Sequence, residues 1–288
     1  MNYQKVALSA GLYFVGVPIG TARDITLRAL DVLASADVLA AEDTRSLRRL
    51  MDIHGVPLAG RPLVALHDHS KDSVIQRLLA QVREGSSVAY ASEAGMPLIA
   101  DPGFELSRAA SAADLPQTCA PGPSAALTAL VLAGLPTDAF HFAGFLPNAK
   151  AARRSALEGL RDIPATLVFY ESPKRVAAML ADARDVLGTA RQGAMCRELT
   201  KKFEEVQRGT LDDLATALDE KPVKGEIVVL IDRNRSETVS LDRVEDDLRQ
   251  ALAAMTMRDA VDMVAKAHDL PRRQVYQQAL TLTKGPPG

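Results

Sequence analysis

Between Leu12 and Leu132, short β-branched apolar runs alternate with segments of helical period, and few folds accommodate that rhythm. The run LYFVGV at 12–17 stops at Pro18 and Gly20, as a buried strand does when it feeds a tight loop. A helix should follow, since Ile25, Leu27, Leu30, Val32 and Leu33 recur near helical spacing, with Asp24 or Thr26 as its cap. The spacing then predicts strands at 38–41, 63–66 and 87–92, and helices at 46–54 and 74–83. A proline- and glycine-bearing loop runs to Gly103, followed by a helix through Leu106 and Ala110, a short strand near Thr118 and a helix at 124–132. Strict alternation implies a largely parallel sheet covered on both faces, with ligands at the carboxyl ends of its strands.

The pattern breaks at Gly134 and Pro136, and a second rhythm opens on the aromatic run 140–145. Strands are expected at 166–170, 194–199, 204–208 and 227–232, with helices at 176–187 and 211–218. The short spacing around Lys201 and Lys202 fits antiparallel neighbours, so this sheet should be mixed. A polar stretch at 234–240 reads as a linker to three short helices at 242–253, 258–267 and 272–282. Their apolar Ala260, Val261, Val264, Ala267, Leu270, Val275 and Ala279 are arranged as in a helix-turn-helix. The expectation is an α/β fold of two αβα domains, 1–136 and 137–233, with a cleft between them, plus a helical module at 241–288.

Cys119 and Cys196 lie far apart in apolar runs without metal-ligand spacing, so both are expected to be buried free thiols in a reducing compartment. The amino terminus lacks a signal pattern and no apolar run is long enough to span a bilayer, which predicts a cytoplasmic protein without membrane contact. A formal net charge of -2 excludes a globally basic nucleic-acid binder. Any RNA contact must be local. Candidates are Arg45 with Arg48 and Arg49, Arg153 with Arg154, Lys201 with Lys202, and Arg272 with Arg273, Gln274 and Gln277; each also reads as solvated surface or packing.

No GxGxxG follows the first strand and no GxxxxGK[ST] occurs, which disfavours dinucleotide and P-loop nucleotide binding. Three proline-glycine loops follow predicted strands instead: Pro18-Ile19-Gly20, SEAGMPLIADPG at 92–103 and APGPSA at 120–125. Such loops let a ligand approach the backbone closely, and all three would meet on one rim of the sheet.

With FYESPKR at 169–175, RELTKKFEE at 197–205, AEDTR at 41–45 and LHDH at 66–69, the chain resembles the tetrapyrrole methylase-like, class III S-adenosylmethionine methyltransferases. Within them it is most similar to the bacterial enzymes that methylate the ribose 2′-oxygen of a cytidine in small-subunit (16S) ribosomal RNA. The resemblance implies S-adenosylmethionine folded in the interdomain cleft. The residues it assigns to the donor are Ile19, then Ala94, Gly95, Met96 and Ile99, then Ser124 and Ala125. From the second domain come Tyr170, Glu171, Leu199, Gly225 and Glu226. It further implies a homodimer acting on small-subunit ribosomal RNA or the assembled subunit. Where the family usually reads SDAGTP, Glu93 and Met96 depart from it, and Thr21 stands where asparagine is usual. Two other readings are a tetrapyrrole-precursor C-methyltransferase of the same fold and a noncatalytic S-adenosylmethionine-binding ribosome-assembly factor.

Methyl transfer from a sulfonium is an in-line displacement, so the protein must chiefly align donor and acceptor and exclude water. A ribose hydroxyl is a weak nucleophile, which makes Asp43, Asp68, His69 and Glu198 candidate bases. Arg45 and Lys201 are candidate cations for a phosphate or the developing alkoxide. Asp43 with Arg45, and Glu198 with Lys201, also read as plain ion pairs. The reaction needs no metal, so His67-Asp68-His69 reads as a polar loop and no metal site is expected.

Overall fold

The first strand, β1 (Gly11–Val15), lies inside its sheet, flanked on both sides by parallel partners in the order β3-β2-β4-β1-β5. In the computed structural model, which describes residues 2–67, 72–101, 103–220, 223–234, 241–267 and 272–284, the other members are β2 (Val38–Ala41), β3 (Leu63–Ala65), β4 (Ser87–Ala91) and β5 (Gln117–Ala120). The helices are α1 (Leu27–Ser35), α2 (Thr44–Ile53), α3 (Asp72–Arg83), α4 (Phe104–Ala112) and α5 (Ala125–Ala133). Strand residues alternate between two cores, as a period of two dictates. Val15, Leu39, Ala41 and Ala89 pack with Leu30, Leu33, Leu47 and Met51 of α1 and α2. Leu12, Val38, Val88 and Tyr90 pack with Leu78, Leu79, Leu106 and Ala110 of α3 and α4. Thr26 rather than Asp24 caps α1, its hydroxyl accepting from the Ala29 amide at 3.1 Å.

The chain leaves β1 toward β2, and leaves the adjacent β4 in the opposite direction, toward β5. The two connections pass over opposite faces of the sheet, through α1 and α4, and open a crevice at the carboxyl ends of the strands they leave, where ligands of doubly wound sheets bind.

The second sheet has the order β6-β7-β10-β8-β9, from β6 (Phe140–Phe145), β7 (Thr166–Glu171), β8 (Gln192–Arg197), β9 (Glu205–Thr210) and β10 (Ile227–Ile231). Only β6 and β7 are parallel, so the sheet is mixed, as expected. One face is covered by α6 (Lys150–Leu160), α7 (Val176–Leu187) and α8 (Leu211–Glu220) through Leu157, Leu180 and Leu214. The opposite face takes Ala126, Ala129, Leu130 and Ala133 of α5 against Val168, Ala194, Cys196 and Val228.

Three sequence expectations are corrected. Helix α6 was not foreseen, and Arg153 within it is no surface patch: it is only 6% exposed and pairs with Asp182 of α7, Nη2 to Oδ2, at 2.6 Å. Arg154 joins Asp182 and Asp185, both at 3.3 Å, so the run serves packing. Cys196 is buried, but Cys119 is exposed, because β5 is an edge strand of the first sheet. The strand expected at 194–199 ends at Arg197, since Glu198 and Thr200 take left-handed φ of 52° and 62°.

Residues through Asn234 form one compact unit and 235–288 a second. The latter holds α9 (Leu241–Ala254), α10 (Met257–Ala267) and α11 (Arg272–Lys284), three helices that share one core. Its core contains Val244, Leu248, Val261, Val264, Val275 and Ala279; Ala265 is buried where Ala267 was expected. Leu270 and 235–240 of the expected linker lie outside the described residues. Among the described residues, no helix is long and apolar enough to cross a membrane.

Candidate active site

The crevice is shaped by three loops that touch. Val17 and Gly95 exchange backbone hydrogen bonds of 2.9 and 3.1 Å, which joins the loop after β1 to the loop after β4. The loop after β5 crosses so close that a Cβ on Gly16 would stand 2.7 Å from the Gly122 backbone and 2.8 Å from Met96 Sδ. The Met96 sulfur accepts a hydrogen bond from the Gly122 amide at 3.2 Å, so this departure from the family string ties two loops together. Ser124 ends the third loop as the cap of α5. Replacing Gly16 by alanine should therefore destabilise the unit by about 1–3 kcal/mol and weaken cofactor binding. A melting curve and a cofactor titration both unchanged from wild type would show that the loops can part freely.

Across the crevice, the second sheet brings the end of β7, the turn after β8 and the approach to β10. The loops and this edge enclose a cavity of about 840 Å³, ample for a cofactor-sized molecule. All twelve residues assigned to the donor line it: Ile19, Ala94, Gly95, Met96, Ile99, Ser124, Ala125, Tyr170, Glu171, Leu199, Gly225 and Glu226. Phe142 and Phe145 meet the Tyr170 ring edge-on at 4.9 and 5.8 Å. Burial pushes the Tyr170 phenol up, opposed by hydrogen bonding to Ala126 and Ser124.

The lining also includes Glu42, Ser46, Asp101 and Phe145, which were not assigned to a site from sequence, and Arg49, which was read there only as part of a candidate RNA-contact patch with Arg45 and Arg48. Ser46 and Arg49 are three residues apart on α2, so helical spacing carried a signal for them. Glu42, Glu93, Asp101, Glu171 and Glu226 outnumber Arg49 and Lys201, giving the wall an acidic balance. The Glu171 side chain is buried; its Oε2 lies 3.2 Å from the Arg175 guanidinium but makes no hydrogen bond among the described residues. Acidic groups beside Ile19, Leu199 and aromatic rings fit an organic cation such as a sulfonium amino acid.

Of the six candidates for catalysis, Lys201 lines the cavity and Glu198 stands beside it. Lys201 Nζ lies 3.1 Å from Glu198 Oε1 and 3.0 Å from Glu226 Oε2. Partial burial would lower its pKa, yet the two carboxylates hold it above the ordinary lysine value. Burial likewise opposes ionisation of Glu198, but the Glu226 amide and the Lys201 ammonium keep its carboxyl below the usual range. Asp43 and Arg45 are brought together but not into the cavity lining: Asp43 caps α2 and pairs with Arg45 at 2.9 Å. The Arg45 side chain and amide hold the Asp43 carboxyl at about 2. Asp68 and His69 lie outside the described residues, and among those described no cluster of metal-ligating groups occurs.

The family model of tetrapyrrole (corrin/porphyrin) methylases matches residues 11–215, so the chain belongs to that class of methyltransferase. Solved structures align with it: methyltransferase CobJ at TM-score 0.61 and 20% identity, covering 78% of this chain and 95% of that one. A uroporphyrin-III-C-methyltransferase from Thermus thermophilus aligns at TM-score 0.53 and 24% identity, over 77% and 94%. A second model, the RsmI C-terminal HTH domain, matches residues 238–283. Ribosomal RNA small subunit methyltransferase I of Micromonospora olivasterospora is 43% identical over 97% of this chain and 90% of its own length. The protein of that name from Escherichia coli O157:H7 is 39% identical over 97% and 98%. Within the class, the chain belongs to the family of these small-subunit methyltransferases.

Proposed function

We propose that this chain transfers a methyl group from S-adenosylmethionine to the ribose 2′-oxygen of a cytidine in small-subunit ribosomal RNA. The observation that carries this reading is whole-length likeness, helical module included, to proteins named for that RNA. The match of residues 238–283 to the RsmI C-terminal HTH domain favours this reading over a tetrapyrrole substrate. A symmetric homodimer in the bacterial cytoplasm belongs to the same reading. Leu127 and the 81% exposed Val131, one helical turn apart on α5, offer apolar surface for it.

When bound, the cofactor supplies a methyl group made electrophilic by its sulfonium. The twelve lining residues hold and orient it, and the touching loops exclude water from one side. Lys201 is the cation poised for the acceptor: as the ribose oxygen takes the methyl group and its proton passes to solvent water, the ammonium stabilises the negative charge that develops on that oxygen. Glu198 and Glu226 position that ammonium. The Asp43 carboxyl, held down by Arg45, is a weak base near neutral pH, which makes a structural cap its main role.

The test is incubation of the purified protein with methyl-labelled cofactor and small subunits from a strain lacking this gene, followed by nucleoside analysis. Label in 2′-O-methylcytidine is the expected result. Label only in an added tetrapyrrole, or subunit binding without label, would replace this reading with one of the two others.

A further inference from the structure

The turn between β8 and β9 carries an aromatic ring that the fold does not use. Phe203 is 63% exposed, and it sits at the tip of a turn, where apolar side chains contribute little to folding. The Glu204 amide donates to the Lys201 carbonyl at 3.1 Å, which closes a four-residue turn with Lys202 and Phe203 at its two central, outward positions.

That tip is braced. The Thr200 amide donates to Glu204 Oε2 at 2.6 Å, the Lys201 amide to the Glu198 carbonyl at 3.0 Å, and the Thr21 amide to Thr200 Oγ1 at 3.2 Å. Arg197 and Glu205, at the strand ends below, pair at 2.7 Å. Lys202 Nζ stands 5.6 Å from the Phe203 ring centroid, so a cation accompanies the ring. Two residues back, Lys201 lines the cavity. Chain geometry limits the Cα separation of Lys201 and Phe203 to about 7 Å.

From this placement we infer that Phe203 is a stacking platform for an unpaired nucleobase of the RNA substrate, with Lys202 holding the adjoining phosphate. The inference rests on the function proposed above and adds a substrate-positioning residue to it. A ribose presented to Lys201 carries its own base and its neighbours within reach of the rim. Proteins that hold unpaired RNA do so by laying bases on aromatic rings beside cations. Stacking is tolerant of base identity, so Phe203 positions the strand rather than selecting cytidine.

The experiment uses Phe203→Ala, Phe203→Leu, Phe203→Tyr and Phe203→Trp enzymes with small subunits lacking the methyl group. The alanine and leucine variants should raise the KM for subunits about ten-fold, with cofactor affinity unchanged, and the two aromatic variants should stay near wild type. The chain contains no tryptophan, so the Phe203→Trp variant has a single indole, whose emission protein-free small-subunit RNA should quench. A leucine variant with wild-type KM would overturn the inference. So would unquenched emission from a Phe203→Trp variant that retains the RNA on a filter. Absence of methyl transfer by the unsubstituted enzyme is a separate result, and it removes the underlying functional reading as well.

Discussion

Methyl transfer by a Lys201→Met enzyme is expected to fall by about 10²–10³-fold while cofactor affinity changes little. Among the described residues, Lys201 is the one ammonium in the cavity wall, and Glu198 and Glu226 fix it at 3.1 and 3.0 Å. Methionine keeps most of the side chain's length and removes the charge, so the loss should appear in kcat. Because the folded-state pKa of Lys201 is raised, its ion pairs are intact below the ordinary lysine value and are lost only as pH rises through the elevated one. Wild-type turnover should thus show no fall from Lys201 deprotonation between about pH 7 and pH 9. A variant that loses cofactor binding and turnover in parallel would move Lys201 from the acceptor side to the donor side.

The largest loss of stability is expected at a site remote from the cavity. Asp182 and Arg153 are both buried, and the pair is bonded at 2.6 Å and 2.8 Å, with Arg154 closing on the second carboxylate oxygen at 3.3 Å. Asp182→Ala leaves a buried guanidinium without its partner, at a cost of about 3–5 kcal/mol. The melting temperature should drop on the order of 10 °C. Replacing both partners with apolar residues, Arg153→Met with Asp182→Leu, should recover most of it, since an apolar pair leaves no charge to solvate. Equal melting temperatures for the wild type and Asp182→Ala would show that water reaches Arg153.

Strands β1, β2 and β4 were legible because each is a short apolar run bounded by loop residues, as parallel strands buried on both faces must be. Helix α6 was not, since KAARRSALEGL offers only Leu157 and Leu160 as large apolar residues, and its buried Arg153 mimics surface. The end of β8 was misplaced because left-handed backbone at Glu198 and Thr200 has no signature in non-glycine residues. The twelve lining residues were read from motif strings, which mark loops after strands. Asp101, inside the 92–103 loop, and Phe145, at the end of the aromatic run at 140–145, were not singled out, because no local pattern tells which residues of a segment turn toward the cavity.

Helix α5 follows the first sheet in the chain, yet its buried side belongs to the second sheet's core. Its leading end, at Ser124, forms part of the cavity, and Arg208 of β9 donates to the Ala133 carbonyl at its trailing end at 3.1 Å. A hinge that swung the halves apart would have to strip this strut from Val168, Cys196 and Leu230 and wet them. The cavity is accordingly standing architecture, open on one side. Uptake of the cofactor should follow simple one-step kinetics, with no slow unlatching phase before it.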